Sequence, residues 1–538
     1  MGSIRWGHDS PPLPLGRRRP GHERTTPQIT RRDVMASATL TLLGSHSGAA
    51  WAAPKGQLVW ASHVSLAPTW FDPAETGGII TPFMLLYALH DGLMKPMPGN
   101  SMAPCLARSY TASADGLSHE FVLRDGTTFH NGETVTADDV KFSFERYRGN
   151  AMRFMKDKIA AVETPDPRRV VFRLHKPWPD FLTYYSGVTG AGWIVPRAYV
   201  TSVGDDGFKK APVGAGPYRF VSFDPGVELV LRAFDGYWRK APSVKKLVFK
   251  VIPDETTRLT ALKLGEVDVA YSIRGELAGE LRRTPGLELK PIVLNGTQWI
   301  YFADQWNPGS PWHDVRVRKA ARLALDYDTI NNALTLGHSL ITGSIVPKSF
   351  DFYWQPPKPS YDPARARALL AEAGLPGGFD AGDYFCDSSY TNLAEAALNN
   401  LREVGIRAKL RPMERAAFIK GYAEKKYRNI IQGGSGAFGN AATRMETFVV
   451  KDGAFVYGSY ADIDDLFSQQ AEAAGRAKRE AILHRMQELL DERAVYAPLW
   501  QLAFLNGQGP RVEESGLGLI DGHPYSSPYE DIRLKPSL

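Results

Sequence analysis

The spacing of apolar residues changes along the chain, and the changes mark its elements. Between Tyr218 and Ile252 the period is two. Val227, Leu229 and Leu231 alternate with Glu228, Val230 and Arg232, and an apolar run over 247–252 follows, which predicts strands. Residues 57–61 predict a first strand, and 121–124 a strand that runs into a turn at Asp125-Gly126. Thr136 predicts a helix start, with Asp138 and Asp139 in its first turn and Val140, Phe144 and Tyr147 on one face. A helix from about Glu255 stops at Gly265, and a strand over 267–271 comes next.

The second half alternates helix with strand. Asp362-Pro363 reads as a cap and first-turn proline, Gly374 as the stop, and Ala366, Leu369, Leu370 and Ala373 as the buried face between them. A helix over 393–404 ends at Gly405, and Ile406, Ala408 and Leu410 alternate straight afterwards, as in an α/β sheet. A last helix carries Ile482, Met486 and Leu489, and the apolar run 497–505 returns to a sheet.

The N-terminus departs from this pattern. Residues 1–29 are rich in Pro, Arg and Gly without a period. Arg31 and Arg32 then precede a weakly apolar run that ends at Ala50-Trp51-Ala52. Twin arginines, an apolar stretch and a small-residue cleavage site read as a twin-arginine export signal over 1–52. That stretch is too short and too polar to span a bilayer, and the expected location is the periplasm of a Gram-negative cell. Residues 1–52 hold seven arginines against three acids, so of the net charge of +6 only +2 belongs to the remainder. No basic surface for nucleic acid follows from so small an excess. The chain of 538 residues is too long for one core, so two or three subdomains are expected. Cys105 and Cys386 read as two buried thiols.

Catalytic motifs are missing. The sequence has no HExxH, CxxC or GxSxG, and its twelve histidines are scattered. Gly434-Ser435-Gly436-Ala437-Phe438-Gly439 fits GxGxxG, but only eight residues separate Gly439 from Phe448. A crossover helix needs a dozen or more, so a close-approach loop at a strand end is the better reading. No cofactor, metal or enzymatic activity is expected. Trp70, Phe71, Tyr271, Trp299, Tyr301 and Trp306 fall near strand ends or irregular segments, where aromatic faces line ligand clefts or simply pack.

Several ordered blocks carry a family resemblance. LLYALHDGLMKPMPG, PCLARSYTASADGLSHEFVLRDGTTFHNGETVTADDVKFSFER, APVGAGPYRFVSFDPGVELVLRAFDGYWRKAP, DVRVRKAARLALDYDTI, YDPARARALLAEAGL and LREVGIRAKLRPM together resemble family 5 of the bacterial extracellular solute-binding proteins, the peptide-, opine- and nickel-binding group. The resemblance covers most of 57–510. It implies a type II-like clamshell of two α/β lobes joined by hinge strands. Lobe 1 would comprise 53–92 and 197–298, with an extra subdomain over 93–196. Lobe 2 would comprise 299–499, and 500–538 would return to lobe 1. The implied role is to capture a peptide or other small solute as a monomer and deliver it to the permease of an ABC importer. Opines, sugars, metal chelates and a sensing role stay open as alternatives, with a secreted enzyme more remote.

Dipeptide-binding relatives carry a GWxxD-type loop whose aspartate pairs with the peptide ammonium. Here the tryptophan place is Gly434, the aspartate place is Ala437, and the following DPD run is Asn440-Ala441-Ala442. A buried ammonium without an anion is costly, so either Asp387 substitutes or the ligand lacks a free amino terminus. No arginine matches the one that holds a dipeptide carboxylate. The expected ligand-binding residues are Trp70, Phe71, Tyr271, Trp299, Asp387, Gly434, Ser435 and Phe438.

Overall fold

Two strands longer than any others, Glu288–Phe302 and Tyr496–Gln508, run antiparallel through the centre of an 11-stranded sheet. The computed structural model describes residues 56–76, 81–473 and 475–536. Arg31, Arg32 and the cleavage site lie outside them. On one side of the long pair come Val269–Ala270, Gln57–Ser62, Lys246–Val251, Glu228–Ala233 and Tyr218–Asp224. On the other come Ile430–Ser435, Phe379–Asp387 and Ile406–Met413. Each half-sheet has a parallel centre: Gln57–Ser62 lies parallel to both of its neighbours, as does Phe379–Asp387. Every residue of Tyr496–Gln508, which lies in the middle of the sheet, is buried.

Pairing between the long strands breaks register between Val293 and Thr297 and again between Gln298 and Trp299. The first break separates residues 288–293, at the Val269–Ala270 end, from 297–302, which pair with Ile430–Ser435. Bulges of this kind weaken a ladder and let it bend. The result is a two-lobed α/β clamshell, hinged where the strands cross from one half-sheet to the other.

Local signals explain most element ends. Thr136 and Asp139 form a capping box on the helix Ala137–Arg146, with the Thr136 amide donating to Asp139 Oδ2 at 2.9 Å. Asp362 caps Pro363–Glu372 by accepting from the Arg365 amide, and Gly374 follows at φ +82°. Gly405, at φ +93°, turns Thr391–Glu403 into Ile406–Met413. Two expectations shift. The strand near 267–271 is regular only over Val269–Ala270; beside it the Asp268 amide donates to the Val59 carbonyl at 2.8 Å, while the Val59 amide donates to the Asp268 carboxylate at 2.9 Å and not to a strand carbonyl. In Arg476–Glu492 the inward face is Leu483, Met486, Gln487, Leu489 and Leu490, with Ile482 only half-buried. Cys105 and Cys386 are free, buried thiols.

A separate four-stranded sheet, Ala107–Ala112, Ser118–Leu123, Arg169–Leu174 and Ile159–Asp166, has its own aromatic core of Phe121, Phe172, Phe181 and Tyr185. The short helix that starts at Phe181 widens into a π turn over Tyr184–Val188. Such turns often occur at functional sites, and here Tyr184 reaches the other lobe.

Each lobe is knitted by one buried arginine saturated with backbone carbonyls. Arg258 donates to the carbonyls of Tyr271, Ile252, Pro253 and Ser272 at 2.6–2.9 Å. Arg318 donates to Trp312, His313, Arg493 and Ala494 at 2.6–3.2 Å. Arg318→Met strips four carbonyls of their donor, and at about 1 kcal/mol per orphan it should destabilise by roughly 4 kcal/mol. A lowered thermal midpoint, with solute affinity unchanged, is the expected measurement.

Burial lowers His90 to about 4, and His130 and His523 to about 3. The unfolded chain protonates its histidines near 6.5, so below that pH the unfolded state binds protons that the folded state refuses. Their contribution to stability is therefore complete above about 6.5 and declines as pH falls. The melting temperature should drop between pH 7.5 and 5, and His523→Asn should shallow that slope.

Candidate ligand cleft

The strand Ile430–Ser435 ends between the lobes, and the loop after it leads into the helix Ala441–Phe448, capped by Asn440. Its glycines serve packing, not phosphate binding. A Cβ on Gly433 would lie 2.6 Å from Trp299 Nε1, and one on Gly434 would lie 2.4 Å from the Gln298 amide nitrogen. Both contacts are with side chains of the long crossing strand, so the glycines let the two strands pack closely.

Two cavities adjoin this loop. The first is walled by Phe154, Tyr184 and Thr189 from the N-terminal side and by Phe350, Ser435, Phe438, Arg444, Phe448 and Phe455 from lobe 2. The second shares Ser435, Phe448 and Phe455 with it and adds Asp387, Tyr390, Arg415, Gln432, Gly434 and Tyr525. A third, lined by Trp70, Glu75, Asn150, Lys420 and Glu424, shares Asn150 with the first and Ile419 with the second.

Polar contacts close the lobes around this space. Tyr184 Oη donates to the Thr443 carbonyl at 3.1 Å, and Asn440 Nδ2 donates to Asp180 Oδ1 at 2.7 Å. Arg479 pairs with the other Asp180 oxygen, and Lys158 pairs with Glu446 at 3.1 Å. Near the second cavity Arg274 Nη2 donates to the Ser389 carbonyl at 2.5 Å.

The sequence-derived candidates divide. Trp70, Asp387, Gly434, Ser435 and Phe438 line these cavities. Phe71, Tyr271 and Trp299 do not. Phe71 packs against Phe220 and Phe223, and Tyr271 against Tyr525 while its hydroxyl accepts from the Ser526 amide. Trp299 is sealed behind the cavity wall by Phe448 and Tyr496. All three are aromatics near strand ends that went to the core.

Asp387 does not stand in its cavity as a lone anion. One oxygen accepts from the Ser389 amide at 2.9 Å, and the other pairs with Arg415, which is also buried. The Tyr390 ring lies 5.6 Å from the Arg274 guanidinium and 5.8 Å from that of Arg415. Asp387 is therefore already paired within the chain, with Arg415.

Sequence reasoning missed Arg444. It is 3% exposed, and its guanidinium lies 5.4–5.9 Å from the ring centres of Phe350, Phe448 and Trp299. Nη1 makes one long contact of 3.4 Å to the Ser435 carbonyl, and Nη2 has no partner. Burial lowers its pKa to about 9. A lone arginine among Ala441, Ala442, Met445 and Phe448 was the available signal.

Breaking the Asp387–Arg415 pair tests its role. Asp387→Ala strands a buried guanidinium and should cost about 3–5 kcal/mol, whereas Asp387→Ala with Arg415→Met should recover most of that loss. Thermal midpoints of the two single variants and the double variant measure the coupling.

The geometry agrees with known proteins. The family described as "Bacterial extracellular solute-binding proteins, family 5 Middle" matches residues 101–455. The glutathione-binding protein GsiB of Escherichia coli is 27% identical over 421 residues, covering 73% of this chain and 79% of that protein. GsiB of Salmonella typhimurium is 29% identical over 357 residues, 62% of this chain and 67% of that one. Among solved structures, the periplasmic binding protein AgaA of A. tumefaciens, in complex with agropinic acid, aligns with a TM-score of 0.78 at 24% identity, covering 90% and 99%. DppA of Helicobacter pylori, in complex with a peptide, aligns with a TM-score of 0.77 at 21% identity, covering 89% and 98%. A family match over most of the chain, on a fold shared by both structures, leads to one conclusion: this chain belongs to family 5 of the bacterial extracellular solute-binding proteins.

Proposed function

We propose that the chain is the substrate-binding component of an ABC importer. It captures a peptide or peptide-like solute between its lobes and presents the closed form to a permease. The observation that carries this reading is a cavity walled from both lobes and ringed by polar contacts that exist only while the lobes are together. A solute touching both walls binds the closed form better than the open one, and that difference in affinity is what drives closure. The relatives' names, glutathione-binding and peptide-bound, support a peptide-like cargo.

The chain would act as a monomer that binds and releases solute without altering it. Its leader, with Arg31 and Arg32, would direct it to the periplasm. No helix among the described residues is long and apolar enough to cross a membrane, which suits a periplasmic carrier.

Asp180 lines none of the cavities described above, yet it joins the lobes through Asn440 and Arg479. Asp180→Ala should therefore weaken solute binding about tenfold by penalising the closed form alone, a change of about 1.4 kcal/mol. Titration with a pool of di- and tripeptides that includes glutathione, followed by small-angle scattering, would read this. The wild type should compact at lower peptide concentration than the variant. A radius of gyration indifferent to every solute would refute the importer reading.

A further inference from the structure

Among the described residues, five arginines are buried to at least nine-tenths, and four of them are compensated. Arg258 and Arg318 are saturated by backbone carbonyls, Arg415 is paired with Asp387, and Arg274 is paired with Glu255 at 3.0 Å. Arg444 differs. It faces the first cavity with one long carbonyl contact, three aromatic rings and an unpartnered Nη2. Among the described residues no carboxylate belongs to the wall of that cavity, and the nearest acid in sequence, Glu446, is already engaged by Lys158. The wall instead offers hydroxyls from Ser435, Thr443 and Thr447, beside the rings of Phe154, Phe350 and Phe455.

A buried guanidinium without an anion is costly, and cation–π contacts recover only part of that cost. A planar carboxylate could take the fork of Arg444 in two parallel hydrogen bonds, with hydroxyls completing its shell. An ammonium in the same chamber would find only Arg444, a like charge. We propose that Arg444 is the anchor for a carboxylate of the solute, and that the rings around it pack against an apolar or aromatic group next to that carboxylate as the lobes close on it. For a peptide, this means a free carboxyl terminus on a large apolar residue, with the amino end directed elsewhere. The inference rests on reading the cleft as the solute site, and it deepens that reading by naming the chemistry at one end.

The test compares wild type, Arg444→Met and Arg444→Lys by thermal shift and calorimetry. The probes are di- and tripeptides ending in Phe or Leu as free acids, the same peptides as carboxyl-terminal amides, N-acetylphenylalanine and phenylacetate. Free acids should bind the wild type, and amides should bind it at least about 30-fold more weakly. Arg444→Met should lose the same factor for the acids, and Arg444→Lys should lose less. Solute-free Arg444→Met should melt no lower than the wild type, because it sheds an uncompensated charge, whereas a structural arginine would behave like Arg318→Met. Equal binding of acids and amides, or full retention of acid binding by Arg444→Met, overturns the assignment and leaves the peptide-carrier reading standing. Binding of phenylacetate or N-acetylphenylalanine alone, lost in Arg444→Met, upholds the assignment and removes the peptide reading. Failure of every acid to bind overturns the assignment as well.

Discussion

A guanidinium removed from water needs an anion or a set of carbonyl oxygens, and that requirement organises this molecule from its lobes to its cleft. Arg258 gathers the carbonyls at the end of the Lys246–Val251 strand together with those of Tyr271 and Ser272. Arg318 does the same in lobe 2, fastening the helix Val315–Leu323 to the turn at Arg493 that leads into a crossing strand. Arg318 thereby fixes the start of the crossing strand Tyr496–Gln508. Arg415 and Arg274 then meet over Tyr390 at the mouth of the second cavity, where their partners are Asp387 and Glu255. Arg444 belongs to the same series with its counter-charge missing from the chain.

Closure follows from the topology. Two strands continuous through both half-sheets keep the lobes in register, while the interruptions between Val293 and Trp299 concentrate bending in a few residues. The contacts that hold the lobes together are then made by side chains: Asp180 with Asn440 and Arg479, Tyr184 with the Thr443 carbonyl, Lys158 with Glu446. Lys158, Asp180 and Tyr184 sit on the helical segments that flank the separate four-stranded sheet, which gives that subdomain a mechanical part in closing over solute. These contacts are largely buried apart from Lys158, so the return of their polar groups to water offsets much of what they gain, and closure can be reversed when solute leaves.

Much of the fold was legible from residue spacing. Thr136 with Asp139, Asp362 with Pro363 and Gly374, and Gly405 before Ile406 each carry their reason locally, in a cap or a left-handed turn. The site was legible only in part. The sequence pointed to the loop at 434–438, but not to the reason for its glycines, which is the approach of Gln298 and Trp299 from a strand more than a hundred residues earlier. Asp387 and Arg415 are 28 positions apart, and nothing local pairs them. Arg444 was hidden because Ala441–Phe448 is buried at seven of its eight positions, so no amphipathic stripe sets an inward charge apart. Phe71, Tyr271 and Trp299 show the converse: an aromatic near a strand end has no local signal telling cavity wall from core.

The claim that the lobes shut on a solute is most directly tested by the distance between them. Spin labels at Asp206, exposed on the helix Arg197–Lys210, and at Asp465, exposed on Ala461–Glu472, would report it without touching the cavities. The two native cysteines are buried, which favours labelling at the introduced sites. The account predicts a broad or two-peaked distance distribution in protein stripped of solute, collapsing to the shorter distance when a binding peptide acid is added. One narrow distribution, identical with and without solute, would contradict it.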